Sequence, residues 1–124
     1  MKRLLPLFTL LAATACQPRY DGIELTPITT PPVPVRIDAE EIEMSVGIAV
    51  GVDVKPLSSA RFEYYSDDPL SLRSQDRAIL RVEPTENPRR FVFVAVGPGT
   101  TCIDIEVVRE EHGCIPATVL AAPN

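Results

Sequence analysis

The chain has 124 residues, 12 of them basic and 17 acidic, for a formal net charge of −5. That length supplies one modest domain core, and the acidic balance repels phosphate backbones, so nucleic acid is not an expected partner. Thirteen prolines, no tryptophan and one histidine favour short strands over helices and leave His112 as the sole imidazole for a zinc site or a Ser-His-Asp relay.

At the start, Lys2 and Arg3 precede an apolar run over residues 4–11 and the small residues Ala12-Ala13-Thr14-Ala15, which end on Cys16. The run is shorter than the about 20 residues a spanning helix needs, and its layout is that of an export signal over residues 1–15. Ala13-Thr14-Ala15-Cys16 resembles the lipobox of bacterial lipoproteins. The resemblance implies that Cys16 receives diacylglycerol and becomes the mature N-terminus, so that the membrane is a partner through its acyl chains (palmitate-like). By the sorting rule of related lipoproteins, Gln17 implies the outer membrane. The alternative is an ordinary secretory signal cut near Ala15, with Cys16 incidental. Each buried methylene of an acyl chain adds about 0.8 kcal/mol, so several chains anchor stably. Removal of residues 1–15 leaves about 109 residues and shifts the formal net charge to −7.

Residues 17–35 hold Pro18, Pro27, Pro31, Pro32 and Pro34 with Thr26, Thr29 and Thr30 between them. Proline fixes φ and removes a donor, which bars the stretch from a central sheet strand. It reads as a tether over residues 16–32, able to hold a domain on the order of 50 Å from the membrane at about 3.1 Å per residue.

The period then changes. Ile42, Met44, Val46, Ile48, Val50, Val52 and Val54 alternate strictly with Glu43, Ser45, Gly47, Ala49, Gly51, Asp53 and Lys55, which puts every large apolar side chain on one face of an extended strand. Gly47 and Gly51 are expected to mark a bend or bulge through which this one stretch serves two sheets. Shorter strands are predicted over 33–37, 61–65, 78–82, 91–96, 102–108 and 115–121. Residues 91–96 (FVFVAV) are apolar on both faces, as a central strand would be. Turn-rich segments separate these runs, and a last hairpin turn is placed at Glu110-Glu111-His112-Gly113. About seven short antiparallel strands in some 90 residues predict an all-β, immunoglobulin-like β-sandwich over residues 33–122.

The runs VGIAVGVDVKP, FEYYSDDPLSL and FVFVAVGPGTTCIDIEV resemble bacterial Ig-like domains of the group-2 kind. Gly47, the Ser66-Asp67-Asp68-Pro69 turn and the segment from Gly97-Pro98-Gly99-Thr100 to Ile103 stand where that family has comparable features. Tyr64 or Tyr65 stands where the family usually has tryptophan. The resemblance implies a fold rather than a task.

Candidate chemistry is sparse. In an exported protein Cys102 and Cys114 are expected to form a disulfide, although a turn at residues 110–113 would separate them by six or seven residues of strand, beyond the bridging range of about 7 Å between Cα atoms. A bridge therefore requires the chain to fold back soon after Val107; intermolecular pairing and two free thiols remain as alternatives. Asp67 and Asp68, with Glu63 or Asp76, lack the patterned loop that calcium requires, and aspartates before proline more often satisfy turn backbone groups. No metal or other cofactor is expected. Arg89-Arg90 and Arg109-Glu110-Glu111-His112 read as solvated loop tips or, less simply, a partner surface. Ser58, Ser59, Ser66, Ser71 and Ser74 have no evident base, so an enzyme is not expected.

The reading is a membrane-anchored envelope lipoprotein whose non-catalytic Ig-like domain serves protein interaction, adhesion or scaffolding, with an envelope protein as partner. Edges such as 33–37 or 115–121 would accept a partner strand. The alternative is a ligand-binding or inhibitory periplasmic lipoprotein, which aromatic residues clustered at one end of the sandwich would favour.

Overall fold

The computed structural model describes residues 18–31, 34–59 and 62–122. The described residues contain no helix and form nine strands: β1 (Tyr20–Pro27), β2 (Arg36–Ile37), β3 (Ile42–Ser45), β4 (Ala49–Ser58), β5 (Leu70–Ser74), β6 (Leu80–Pro84), β7 (Arg90–Ala95), β8 (Gly99–Val107) and β9 (Glu110–Leu120). They make two sheets, β1-β4-β7-β6 and β2-β3-β9-β8-β5. All pairings are antiparallel except β3 with β9. The order β4-β7-β6 opposite β9-β8-β5 is the arrangement of an immunoglobulin-like sandwich.

The alternating run over residues 42–54 crosses from one sheet to the other. Ile42 and Met44 enter the core from β3, and Val50, Val52 and Val54 enter it from β4. Val46 and Ile48 are half-buried between them and pack against the same core. Period two therefore survives the crossover, because the core lies between the sheets and is reached from either side. Gly47 makes the bend, at φ +89, a left-handed backbone that costs a side chain about 1–2 kcal/mol. Its N–H donates to the Ala95 carbonyl at 2.9 Å, tying the crossover to β7. Gly51, expected at a bend or bulge, instead sits in regular register opposite Val92. A Cβ there would stand 3.1 Å from the Ile28 side chain, so glycine admits the end of β1 across the strand.

The core is filled from both sheets. Phe93, Leu80, Val50 and Val52 come from one, and Ile42, Met44, Ile103, Ile115 and Val107 from the other, all essentially inaccessible to solvent. β7 lies between β4 and β6, in agreement with its apolar sequence on both faces.

Four expectations are corrected. First, the stretch read as a spacer contains β1: Tyr20–Pro27 pairs with β4 from Tyr20↔Ser58 to Pro27↔Val52. Residues 19–26 hold no proline, β1 is an edge strand that needs one partner only, and Ile23 and Leu25 point into the core. The domain thus begins at Tyr20 rather than at residue 33, and the tether boundaries 16–32 do not hold. Second, residues 62–65 are not a strand; the strand that pairs with β8 is β5, Leu70–Ser74. Leu72 and Ser74 are buried there, whereas Phe62 and Tyr65 are exposed, so burial across the sandwich outweighs aromatic β propensity. Third, the last hairpin turns at Val108 and Arg109, with φ of 49 and 65, both positive as a two-residue type I′ turn demands. Glu110–Leu120 is strand throughout. Fourth, 115–120 lies between β3 and β8 and so offers no free edge, while of the described residues 34–37 only Arg36–Ile37 is strand. The count rises from about seven to nine because the crossover divides one stretch in two and β1 is added.

Candidate binding groove

The early turn settles the cysteines. Asp104 pairs with Cys114 and Cys102 with Pro116, so the two cysteines lie diagonally across the β8–β9 ladder. Their Cα atoms are 5.6 Å apart and a disulfide joins them. Cys16 lies outside the described residues.

A groove of about 610 Å³ runs over the solvent face of β1 and β4. Because side chains alternate along a strand, the residues between the core positions form its floor: Glu24 and Thr26 from β1, Asp53, Lys55 and Leu57 from β4. Glu24 stands opposite Lys55 and Thr26 opposite Asp53. Glu63, Tyr64, Tyr65 and Ser66 form one wall, and Asn87 and Arg89 of the β6–β7 turn close it.

Arg89 holds the wall in place. Its Nη2 donates to the Tyr65 carbonyl at 2.6 Å, and the Tyr65 N–H donates to Asp68 Oδ2 at 2.7 Å. The Asp68 N–H donates back to the Tyr65 carbonyl at 3.1 Å. Nη1 is buried without a partner among the described residues. Burial pushes the Arg89 pKa down from its ordinary value, against the opposing charges of Asp68 and Asp67.

Its neighbour Arg90 does different work. Nε donates to Asp53 Oδ1 at 2.7 Å and Nη2 to Oδ2 at 3.3 Å, a two-point clamp across β4 and β7. The hydrogen bond from Arg90 holds the Asp53 carboxyl below its ordinary 3.8; partial burial opposes this and the guanidinium charge adds to it. A depressed folded-state pKa stabilises the fold above the ordinary value, and that stability disappears as pH falls through the folded value. Asp53→Asn is therefore expected to remove part of the loss of stability on acidification below about pH 4, measured by urea midpoints at pH 6 and in acid. Identical acid limbs in the two proteins would refute the assignment.

At one end of the groove the aromatic residues gather. Tyr20 stacks on His112 with ring centroids 4.0 Å apart and planes at 15°. The pKa of Tyr20 is raised by burial and, second, by the nearby Tyr64. For Tyr64 burial comes first, followed by the negative charges of Glu110 and Asp68. Both phenols stay protonated donors at neutral pH. His112, expected in an open loop, is instead half-buried on β9. It is not among the groove's lining residues, whereas Ser58 and Ser66 are, and Ser58 Oγ donates to the Phe62 carbonyl at 2.9 Å.

Of the acidic residues considered for calcium, Asp68 and Asp76 serve turns and Glu63 lines the groove. Besides Asp68, Asp76 Oδ1 accepts from the Ala78 N–H at 2.9 Å. Among the described residues no three His, Cys, Asp or Glu side chains are grouped to hold a metal. Of the adjacent arginines, Arg89 lines the groove and braces its wall, and Arg90 holds the floor residue Asp53. Glu24, Thr26 and Lys55 carried no sequence signal, since their proximity exists only once β1 pairs with β4.

No protein-family model matches the chain, and no curated protein matches it in sequence. Similar solved structures exist. Domains 4 and 5 of the S-layer protein SbsC match at 16% identity and TM-score 0.50, covering 77% of this chain and 54% of theirs. Domains 5–6 of the same protein match at 14% identity and TM-score 0.56, over 80% of this chain and 47% of that one. Domains 1–6 match at 14% and TM-score 0.57, but this chain spans only 14% of their length. At such identities the likeness is one of fold, a β-sandwich shared with a domain of a longer assembly.

Proposed function

We propose that the protein is an exported lipoprotein, held at a bacterial envelope membrane by acyl chains on Cys16, whose sandwich binds another envelope component without catalysis. The observation that carries this reading is a basic start, an apolar run and small residues over 1–15, followed by Cys16 four residues before the first strand of a sandwich. The likeness to S-layer protein domains supports an envelope setting for the fold. The outer membrane is the destination that Gln17 favours, and scaffolding or adhesion is the role that a passive sandwich suits.

The groove favours a second reading, capture of a small or extended ligand. Its floor carries both charge signs, and Tyr64 and Tyr65 offer amphipathic surface beside it. The two readings share one site and separate by what co-purifies.

Mass spectrometry of the protein extracted from native membranes tests the anchor. A mature N-terminus at Cys16 with a diacylglyceryl mass is expected, together with loss of the Cys16→Ser variant from the membrane fraction. An unmodified Cys16, or cleavage elsewhere, overturns it. Cross-linking through the groove then tests the binding role: wild type is expected to capture an envelope component that Lys55→Glu combined with Tyr65→Ala captures less, and equal capture would sink the groove's part.

A further inference from the structure

We infer that the sandwich stands directly on the lipid leaflet, with the pole formed by residues 62–69, the Val108-Arg109 turn and the Tyr20–His112 stack facing the headgroups. This rests on the acylation of Cys16 proposed above.

The first reason is reach. The Ser59 N–H donates to the Arg19 carbonyl at 3.1 Å, and Tyr20 is already paired with Ser58. Arg19 is three steps along the chain from the acylated position, about 11 Å even when fully extended at ~3.6 Å per residue. A sandwich so tied cannot stand off the leaflet. It meets the surface with the end at which β1 begins.

The second reason is which side chains occupy that end. Tyr20 opens β1 there and stacks on His112 of β9. The Val108 N–H donates to the Pro69 carbonyl at 2.8 Å, and Leu70 pairs with Val107, which brings the segment after Phe62 and the hairpin tip together. Of the large hydrophobic side chains exposed among the described residues, Phe62, Tyr65 and Val108 lie at this pole. Tyr65 is 73% exposed, and tyrosine favours the membrane–water boundary because its ring is apolar and its hydroxyl wet.

The third reason is the turn itself. A two-residue turn with both φ positive prefers Asn-Gly or a close relative. Here it carries Val108 and Arg109 at φ 49 and 65, and a β-branched residue in that region is strained. Turn chemistry therefore did not choose valine; a tip that places one apolar group and one cation against headgroups explains it. Glu110 and Glu111 follow the turn, and Glu63, Asp67 and Asp68 belong to the 62–69 segment bonded to it, so contact is shallow and held by the acyl chains rather than by charge. The opposite pole, which carries Val96 and Leu120, faces away from the leaflet, and the groove floor of Glu24, Thr26, Asp53 and Lys55 lies on the flank of the sandwich, beside the pole that meets the lipid.

The chain has no tryptophan, so a single introduced one reports its surroundings. Full-length acylated Val108→Trp, Phe62→Trp and, as a distal control, Val96→Trp would be reconstituted in phosphatidylethanolamine–phosphatidylglycerol vesicles containing brominated lipid. Bromolipid quenching at residues 108 and 62 is expected to exceed that at 96 by about twofold or more, with a blue-shifted emission, as for side chains at the headgroup boundary. The same samples are analysed by mass spectrometry. Protein acylated at Cys16 but equally unquenched at all three positions overturns the orientation alone, whereas protein never acylated in its native membrane overturns the anchor. Phe62→Trp, outside every strand, guards against a misfolded hairpin in Val108→Trp.

Discussion

Replacing Phe93 by alanine is expected to destabilise the sandwich by about 3–5 kcal/mol, a large share of the about 5–15 kcal/mol that holds a domain of this kind folded. Phe93 is the largest side chain with no solvent exposure, on the strand between β4 and β6, in register with Val50 and Val82. Truncation removes the transfer free energy of the ring and leaves a cavity between two sheets whose ladders limit collapse. The thermal midpoint should fall by about 12 °C or more, since each kcal/mol shifts a domain of this size by about 4–8 °C. Glu24→Ala, on the outer face of the neighbouring sheet strand β1, should move it by less than about 0.5 kcal/mol. A Phe93→Ala protein as stable as wild type would mean that the two sheets do not share this core.

Removing the Cys102–Cys114 disulfide is the second large effect. The bridge closes a loop with a sequence separation of 12, for which the unfolded-chain entropy gives about 3 kcal/mol as an upper figure. The enclosed hairpin has a tight turn and its own ladder, so the loss should lie nearer 2 kcal/mol than 3. Cys114 is exposed and Cys102 half-buried, so a reductant reaches the bond without global unfolding. Urea midpoints for wild type with and without dithiothreitol, and for the double variant Cys102→Ser and Cys114→Ser, check this. Reduced wild type should match the double variant, and the double variant should ignore the reductant. No change on reducing the wild type would show that the bridge carries no stability. Because the same hairpin carries His112 and Val108, loss of the bridge is also expected to loosen the stack on Tyr20.

The strands most readable in the sequence are those whose signal is local. Ile103, Ile105 and Val107 alternate with Asp104 and Glu106, and in β8 the first set is buried while the second is only half-buried. Gly47 likewise marked the crossover, since a bend needing positive φ admits few other residues. β1 was missed because proline density around it outweighed the short alternation of Ile23 and Leu25, which becomes meaningful only beside β4. The groove was illegible for the same reason: Glu24 and Lys55 are far apart in the chain and meet through pairing alone. Arg89 and Arg90 stand side by side in the sequence, but that the first braces a wall and the second clamps Asp53 depends on the partners that the fold brings to each.

What the sequence determined unaided is the class of the fold: period-two apolar patterning, β-branched content and closely spaced turns leave a two-layer β structure as the way to bury those faces. Tertiary structure alone decided membership and register. It placed Leu70–Ser74 rather than residues 62–65 in the sheet, moved the hairpin turn to Val108 and Arg109, and so brought the Cα of Cys102 to 5.6 Å from that of Cys114. The physical reason is that an isolated strand has no internal hydrogen bonds. Its ends and its partner are settled only where the other strand supplies the missing donors and the opposite sheet covers the apolar face.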